Sequence, residues 1–171
     1  MSTATKWGLI GALMIVCLHV ILHAINPVLL FGMWTYLEWP IFCIVLFLLG
    51  KNLMESGDVE LVWRDLLRQL FAAFALASAI YFVYYYSLHL LIDPDLYQTQ
   101  YAVMMEKAEQ FQEALGGEQF MQSLEELEPE DLQVSLREIL LGYGIKLIFP
   151  GFVFAAAISW WLLKNRPLPP E

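Results

Sequence analysis

Four long apolar stretches constrain this chain more than any other feature. They cover residues 7–25, 34–50, 70–92 and 141–163, and each approaches the roughly 20 residues that a helix needs to cross a bilayer. Together they take up about half of the sequence, so residues 1–171 form one membrane domain with no room for a large soluble one. The pattern predicts an all-α integral membrane protein, a four-helix bundle whose main partner is the lipid bilayer.

A strongly acidic insert, residues 93–138, separates the third and fourth stretches. It holds twelve of the eighteen Asp and Glu residues but only two basic residues, Lys107 and Arg137. Its formal charge of −10 (+2 and −12) accounts for the net charge of −9 of the whole chain. Nucleic acid and anionic lipid both repel such a segment, so nucleic acid is excluded as a partner.

The sequence of the insert predicts a helical hairpin. Asp93 and Pro94 suit the N-cap and first position of a helix, and the first helix then ends at Gly116 and Gly117. Apolar residues recur along one face at alternating spacings of four and three. This seam comprises Tyr97, Tyr101, Met104, Ala108, Phe111 and Leu115, and a second short helix contains Phe120, Met121, Leu124 and Leu127.

Apolar faces on these two amphipathic helices must be buried. The helices either pack on each other and on the outer mouth of the bundle, or form a docking surface for a membrane-protein partner or a second copy of the chain. Amphipathicity alone is compatible with both arrangements.

The distribution of basic residues predicts the orientation. Lys and Arg mark the cytoplasmic side, and six lie before the first stretch, between the second and third, or after the fourth. Only Lys107 and Arg137 lie in the loops of the opposite side. We therefore expect a bacterial inner-membrane protein with both termini in the cytoplasm and the insert outside.

Proline residues complicate two of the spans. Either residues 33–50 cross the membrane with Pro40 as a kink, or that helix starts near Pro40 after an interfacial segment, because proline is favourable at a helix start. Pro150 lies inside the fourth stretch and predicts a kink there. Residues 58–69 are amphipathic, and we expect them to continue into the third span as one long helix.

Five polar residues near the apolar stretches form a candidate pocket, because ionisable groups inside a span are costly. All five fall in the outer half of the membrane in the predicted topology. They come from all four stretches. The residues are His19, His23, Glu38, His89 and Lys146.

Three interpretations of these residues remain open. The imidazoles and the carboxylate could bind zinc, although the spacing lacks an HExxH motif. They could instead form a shared pocket that binds a ligand or relays protons, since histidine titrates near neutral pH. Alternatively, each group snorkels or forms a hydrogen bond separately near the interface.

Sequence motifs supply no catalytic or cofactor assignment. We find no haem signature, phosphate-binding loop, dinucleotide fingerprint or nucleophile elbow, so no catalytic residue and no cofactor is predicted. Cys17 and Cys43 lie inside apolar stretches, where cysteine acts as a small hydrophobe.

Several short segments resemble one family. They are Lys6-Trp7-Gly8-Leu9-Ile10-Gly11, Leu48-Leu49-Gly50-Lys51, Phe74-Ala75-x-Ala77-Ser78, the Asp93-Pro94 turn, the acidic insert and the final Lys164-Asn165-Arg166-Pro167. With these segments the chain resembles the membrane family called domain of unknown function 4199. The resemblance implies four spans with a soluble insert between the third and fourth, and it implies no activity.

Two functional hypotheses therefore remain. The leading one is a non-enzymatic accessory or scaffold subunit of a membrane assembly, because the chain is small and has an amphipathic exterior cap. The alternative is a small transporter or a ligand- or proton-binding membrane protein that uses the five polar residues.

Overall fold

The computed structural model describes residues 1–56, 62–115 and 128–165, and it is helical throughout the bundle. Four helical segments are long and apolar enough to cross a membrane: span 1 (Thr3–Ile25), span 2 (Met33–Glu55), span 3 (Trp63–Ile92) and span 4 (Leu136–Lys164). No strand occurs in the described ranges. The predicted all-α fold with four spans is confirmed, and these helices indicate a membrane protein.

Regular helices form most of each span. Span 1 is the single helix α1 (Thr3–Ile25), and span 2 contains α2 (Glu38–Glu55). Span 3 consists of α3 (Trp63–Ser87) followed by a wide turn, Leu88–Ile92. The insert begins with α4 (Leu96–Leu115), and span 4 is divided into α5 (Leu136–Lys146) and α6 (Val153–Lys164).

The start of span 2 follows one of the two arrangements that Pro40 allows. Two short 3-10 turns, Pro27–Phe31 and Met33–Leu37, lead from α1 into α2. Helix α2 begins at Glu38, so Pro40 lies in its first turn, where the missing backbone N–H has no intrahelical partner to lose. Pro40 therefore starts the regular helix and does not kink its middle.

Span 1 packs most extensively on span 3. Small residues allow the close approach: a Cβ atom on Gly8 would lie 2.9 Å from the carbonyl oxygen of Ala73, and one on Gly11 would lie 3.5 Å from the Cβ of Ala77. Ala73 and Ala77 are both buried. These two small residues, four apart in span 3, thus serve packing within the bundle.

Span 4 has the kink that Pro150 predicts. A wide turn, Leu147–Phe152, joins α5 to α6, and Phe149 within it has non-helical backbone angles of −134° and 117°. Gly151 follows the proline and lies against the ring of Phe74, since a Cβ there would come within 2.4 Å of a ring carbon. The irregular turn is therefore fitted closely to span 3.

The first helix of the insert lies over the mouth of the bundle. Helix α4 contacts the turn Pro27–Phe31, and Leu96 is fully buried against Leu22, Leu30 and Leu88. The Nζ of Lys107 donates a hydrogen bond to the carbonyl oxygen of Phe31. The second helix predicted for the insert, residues 120–127, lies outside the described residues, as do the N-terminal residues of the segment 58–69.

Candidate functional site

A buried ion pair joins span 2 to span 4. Lys146 ends helix α5 and Glu38 begins helix α2, and Nζ of Lys146 donates to both carboxylate oxygens at 2.9 Å. Each side chain is only 11% exposed. Such a pair is retained only when its geometry is good, because removing two charges from water is costly.

Aromatic rings surround the ammonium group of Lys146. The distances from Nζ to the ring centres are 4.5 Å for Tyr81, 5.3 Å for Phe42, 5.7 Å for Phe82 and 6.0 Å for Trp39. The negative faces of aromatic rings attract a cation at such distances. The rings therefore take over part of the solvation that water would give the ammonium group.

His19 extends the site to span 1. Its Nδ1 lies 2.9 Å from the carbonyl oxygen of Ile15, and its Nε2 lies 3.2 Å from the hydroxyl of Tyr81. A carbonyl oxygen can only accept, so Nδ1 carries the hydrogen. In the neutral imidazole, Nε2 is then an acceptor, and the Tyr81 hydroxyl donates to it.

The three contacts form one polar cluster, which we define as His19, Tyr81, Lys146 and Glu38. Each member comes from a different span, and Tyr81 contributes its hydroxyl to His19 and its ring face to Lys146. Chemically, such an arrangement can fix the four spans relative to each other. It also brings together four groups that can each bind or release a proton. Hydrogen bonds join Glu38 to Lys146 and Tyr81 to His19, whereas Lys146 contacts only the ring face of Tyr81.

The other two histidines of the candidate set lie elsewhere. Nε2 of His23 is 2.9 Å from Oδ2 of Asp93, so this contact joins the end of span 1 to the start of the insert. His89 is buried in the last turn of span 3, with its ring centre 4.5 Å from that of Tyr85. Its Nε2 has no hydrogen-bond partner in the part of the chain that the structure describes.

The structure thus brings together His19, Glu38 and Lys146 and separates them from His23 and His89. Within residues 1–56, 62–115 and 128–165, no group of three or more His, Cys, Asp or Glu side chains could hold a metal ion. Whether the cluster binds a ligand or transfers protons stays a prediction.

Two members of these contacts were not among the candidate residues. Tyr81 lies in the third apolar stretch, where the buried small residues Ala73 and Ala77 precede it at spacings of four. That spacing continues the bundle-facing stripe to Tyr81 and was the available signal. Asp93 was assigned only a capping role, and nothing in the local sequence connects it to His23.

Comparison with known proteins now adds the family. The family model described as "Protein of unknown function (DUF4199)" matches residues 6–164, which is most of the chain. The chain belongs to the DUF4199 family. No curated protein and no solved structure matches it.

The matched region of this DUF4199 protein includes spans 2 to 4, span 1 from Lys6 onward, the insert and every residue of the polar cluster. The match covers all of the segments that carried the resemblance except residues 165–167, and the family prediction is confirmed. The family description assigns no activity, so a function for this DUF4199 protein must be argued from its own geometry.

Proposed function

We propose that the protein is a non-enzymatic accessory or scaffold subunit of a bacterial inner-membrane assembly. The observation that carries this proposal is the polar cluster, in which one residue from each span is used to contact another span. Buried polar contacts of this kind favour one arrangement of helices over alternatives. A bundle with a fixed arrangement can present a constant surface to a partner.

The proposed orientation places both termini in the cytoplasm and the insert outside. The six-to-two distribution of Lys and Arg supports it, because basic residues in short loops are retained on the cytoplasmic side. Cysteine labelling tests it directly. In a variant with Cys17 and Cys43 changed to alanine, a new cysteine at Gln98 should react with an impermeant maleimide in intact cells, whereas one at Arg68 should not.

The outer face of α4 is the proposed partner surface. Glu106 and Glu109 are exposed, while Leu96 and Val103 on the same helix are buried. The insert is thereby attached to the bundle and still displays negative charge. A partner of complementary, basic character would fit this face, because opposite charge accelerates and orients association.

Mild-detergent extraction followed by native mass spectrometry tests the accessory role. We expect a stoichiometric complex with a second membrane protein that is lost when Glu106 and Glu109 are both changed to lysine. The control is Asp65→Lys, an exposed acid at the opposite end of the bundle. A monomer in the native protein, or a complex unaffected by the double change, would contradict the proposal.

A second candidate function is proton or ligand binding by a small transporter. The specific observation that supports it is that four groups able to bind or release a proton, His19, Tyr81, Lys146 and Glu38, meet inside the span region. Intramembrane ionisable residues frequently mark such pathways. In proteoliposomes with an internal pH dye, proton flux should then exceed that of empty liposomes and disappear in Glu38→Gln but not in Glu55→Gln.

A further inference from the structure

A cavity of about 280 Å³ lies beside the polar cluster, where span 3, α4 and the start of span 4 meet. It differs from the cluster because the carboxylate that borders it, Glu138, has no basic partner among the residues that the structure describes. A water molecule occupies about 30 Å³ of liquid volume, so the cavity has room for a small organic group. Its principal lining residues are Phe82, Tyr85, Gln100, Val134, Glu138 and Ile139.

The carboxylate of Glu138 is held in place by the start of its own helix. Oε2 accepts hydrogen bonds from the backbone N–H of Ser135 at 2.8 Å and from the Ser135 hydroxyl at 2.9 Å. These two donors are neutral, so they orient the carboxylate without cancelling its charge. Among the described residues, Glu138 forms no ion pair.

Gln100 contributes an acceptor from the insert. Its Oε1 is buried and has no hydrogen-bond partner in the part of the chain that the structure describes. A buried acceptor without a partner costs free energy, which a ligand N–H can recover. The amide is at the end of a flexible side chain, so rotation can direct the oxygen into the cavity that Gln100 lines.

Two aromatic rings complete this arrangement. Phe82 and Tyr85 are one helical turn apart in α3 and both line the cavity. Aromatic faces together with a carboxylate and an amide oxygen attract cations. The neighbouring polar cluster shows the same combination of groups around an ammonium, because Lys146 lies between aromatic rings and the carboxylate of Glu38.

From these contacts we propose that the cavity binds a primary ammonium group attached to a short aliphatic chain. Val134 and Ile139 provide the apolar wall for the aliphatic part. The site lies at the first turn of span 4, close to the level of lipid headgroups. The ammonium group can therefore come from phosphatidylethanolamine or from a soluble amine.

The test uses the full chain in nanodiscs that contain only phosphatidylglycerol, which has no ammonium group. Binding of ethylammonium and of ethanolamine is measured by calorimetry. A parallel preparation with mixed phosphatidylglycerol and phosphatidylethanolamine is analysed by native mass spectrometry for retained lipid. Binding of a soluble amine identifies that source, and selective retention of phosphatidylethanolamine identifies the lipid; either result supports the site.

The variants are Glu138→Gln, which removes the charge with little change of shape, and Gln100→Leu, which removes the buried acceptor. We expect each to weaken ammonium binding or lipid retention about tenfold, because charge-assisted contacts are the stronger ones. Asp65→Asn, which changes an acid that is exposed like Glu138 but lies at the other end of span 3, is the control and should leave binding unchanged. Circular dichroism confirms that each variant is folded.

Absence of both soluble-amine binding and phosphatidylethanolamine preference in the native protein would overturn the proposal. Equal binding in native protein and in folded Glu138→Gln and Gln100→Leu would also overturn it. The accessory role could fail without affecting these results, because that role depends on the outer face of α4 and not on this cavity.

Discussion

Lys146 and Glu38, which are 108 residues apart in the sequence, form a two-pronged ion pair between span 4 and span 2. Both charges are nearly enclosed, and the aromatic rings around Lys146 exclude water from the pair. A charge left alone in this environment has neither water nor a counter-ion. The pair therefore makes the two residues strongly dependent on each other.

Removing one charge of this pair should destabilise the bundle strongly. We expect Glu38→Gln and Lys146→Met each to cost about 3–5 kcal/mol in free energy of unfolding, because each leaves a buried charge unpaired. The double variant should cost less than the sum of the two. Reversible unfolding in mixed micelles, followed by circular dichroism, measures all three.

The exposed pair Lys51–Glu55 is the control for that experiment. Its atoms are 3.6 Å apart, and the two side chains are 61% and 65% exposed. Lys51→Met should change the free energy of unfolding by no more than about 0.5 kcal/mol. Equal effects at the two pairs would show that burial of Lys146 and Glu38 contributes nothing to their coupling.

The Tyr81 hydroxyl can be tested separately from its ring. Tyr81→Phe keeps the ring that faces Lys146 but leaves Nε2 of buried His19 without a donor. We expect a loss of about 1–3 kcal/mol in stability, the cost of an unsatisfied buried group. Thermal unfolding of this variant is compared with Tyr86→Phe on another face of α3, for which we expect no comparable loss.

Gly151 should not tolerate a methyl group. A Cβ at this position would come within 2.4 Å of the Phe74 ring, so Gly151→Ala forces the wide turn away from span 3. We expect a loss of about 1–3 kcal/mol, as for other overpacked core sites. Gly144 has open space around its Cβ position, and Gly144→Ala should be neutral or slightly stabilising in the same unfolding assay.

Attachment of the insert depends on Leu96. This side chain is fully buried, whereas Leu91, five residues earlier, is 80% exposed. Leu96→Ala should cost about 2–5 kcal/mol through the lost contacts and the remaining cavity. Hydrogen exchange of the α4 amides should accelerate in Leu96→Ala and not in Leu91→Ala; unchanged protection would mean that other contacts hold the insert.

The number and position of the spans could be predicted from the sequence because bilayer thickness fixes the length of an apolar run. The effects of the prolines were also predictable in part. Pro150 lies in the middle of the fourth apolar stretch, so a kink there could be predicted. Pro40 was ambiguous, since both a kink and a helix start satisfy the local pattern. The structure resolves it through the 3-10 turn Met33–Leu37, which has no clear sequence signal.

The candidate site was only partly predictable. Membrane depth placed His19, Glu38 and Lys146 at a similar level, but depth does not determine which face of each helix turns inward. His19 and His23 share a helix face by spacing, yet they have different partners because His23 is at the helix end beside Asp93. Pairings between distant spans arise from tertiary packing, and the periodicity of residues within one helix gives no information about that packing.

The wide turn Leu147–Phe152 has a consequence for the angular register of span 4. In a straight helix of 3.6 residues per turn, Lys146 and Ala155 would point about 180° apart. Nevertheless Ala155 is fully buried while Lys146 reaches Glu38 inside the bundle. The turn therefore changes the helical phase of span 4. Before the turn, the charged residue Lys146 faces the interior of the bundle; after it, a row of small and apolar residues that includes Ala155 faces the interior.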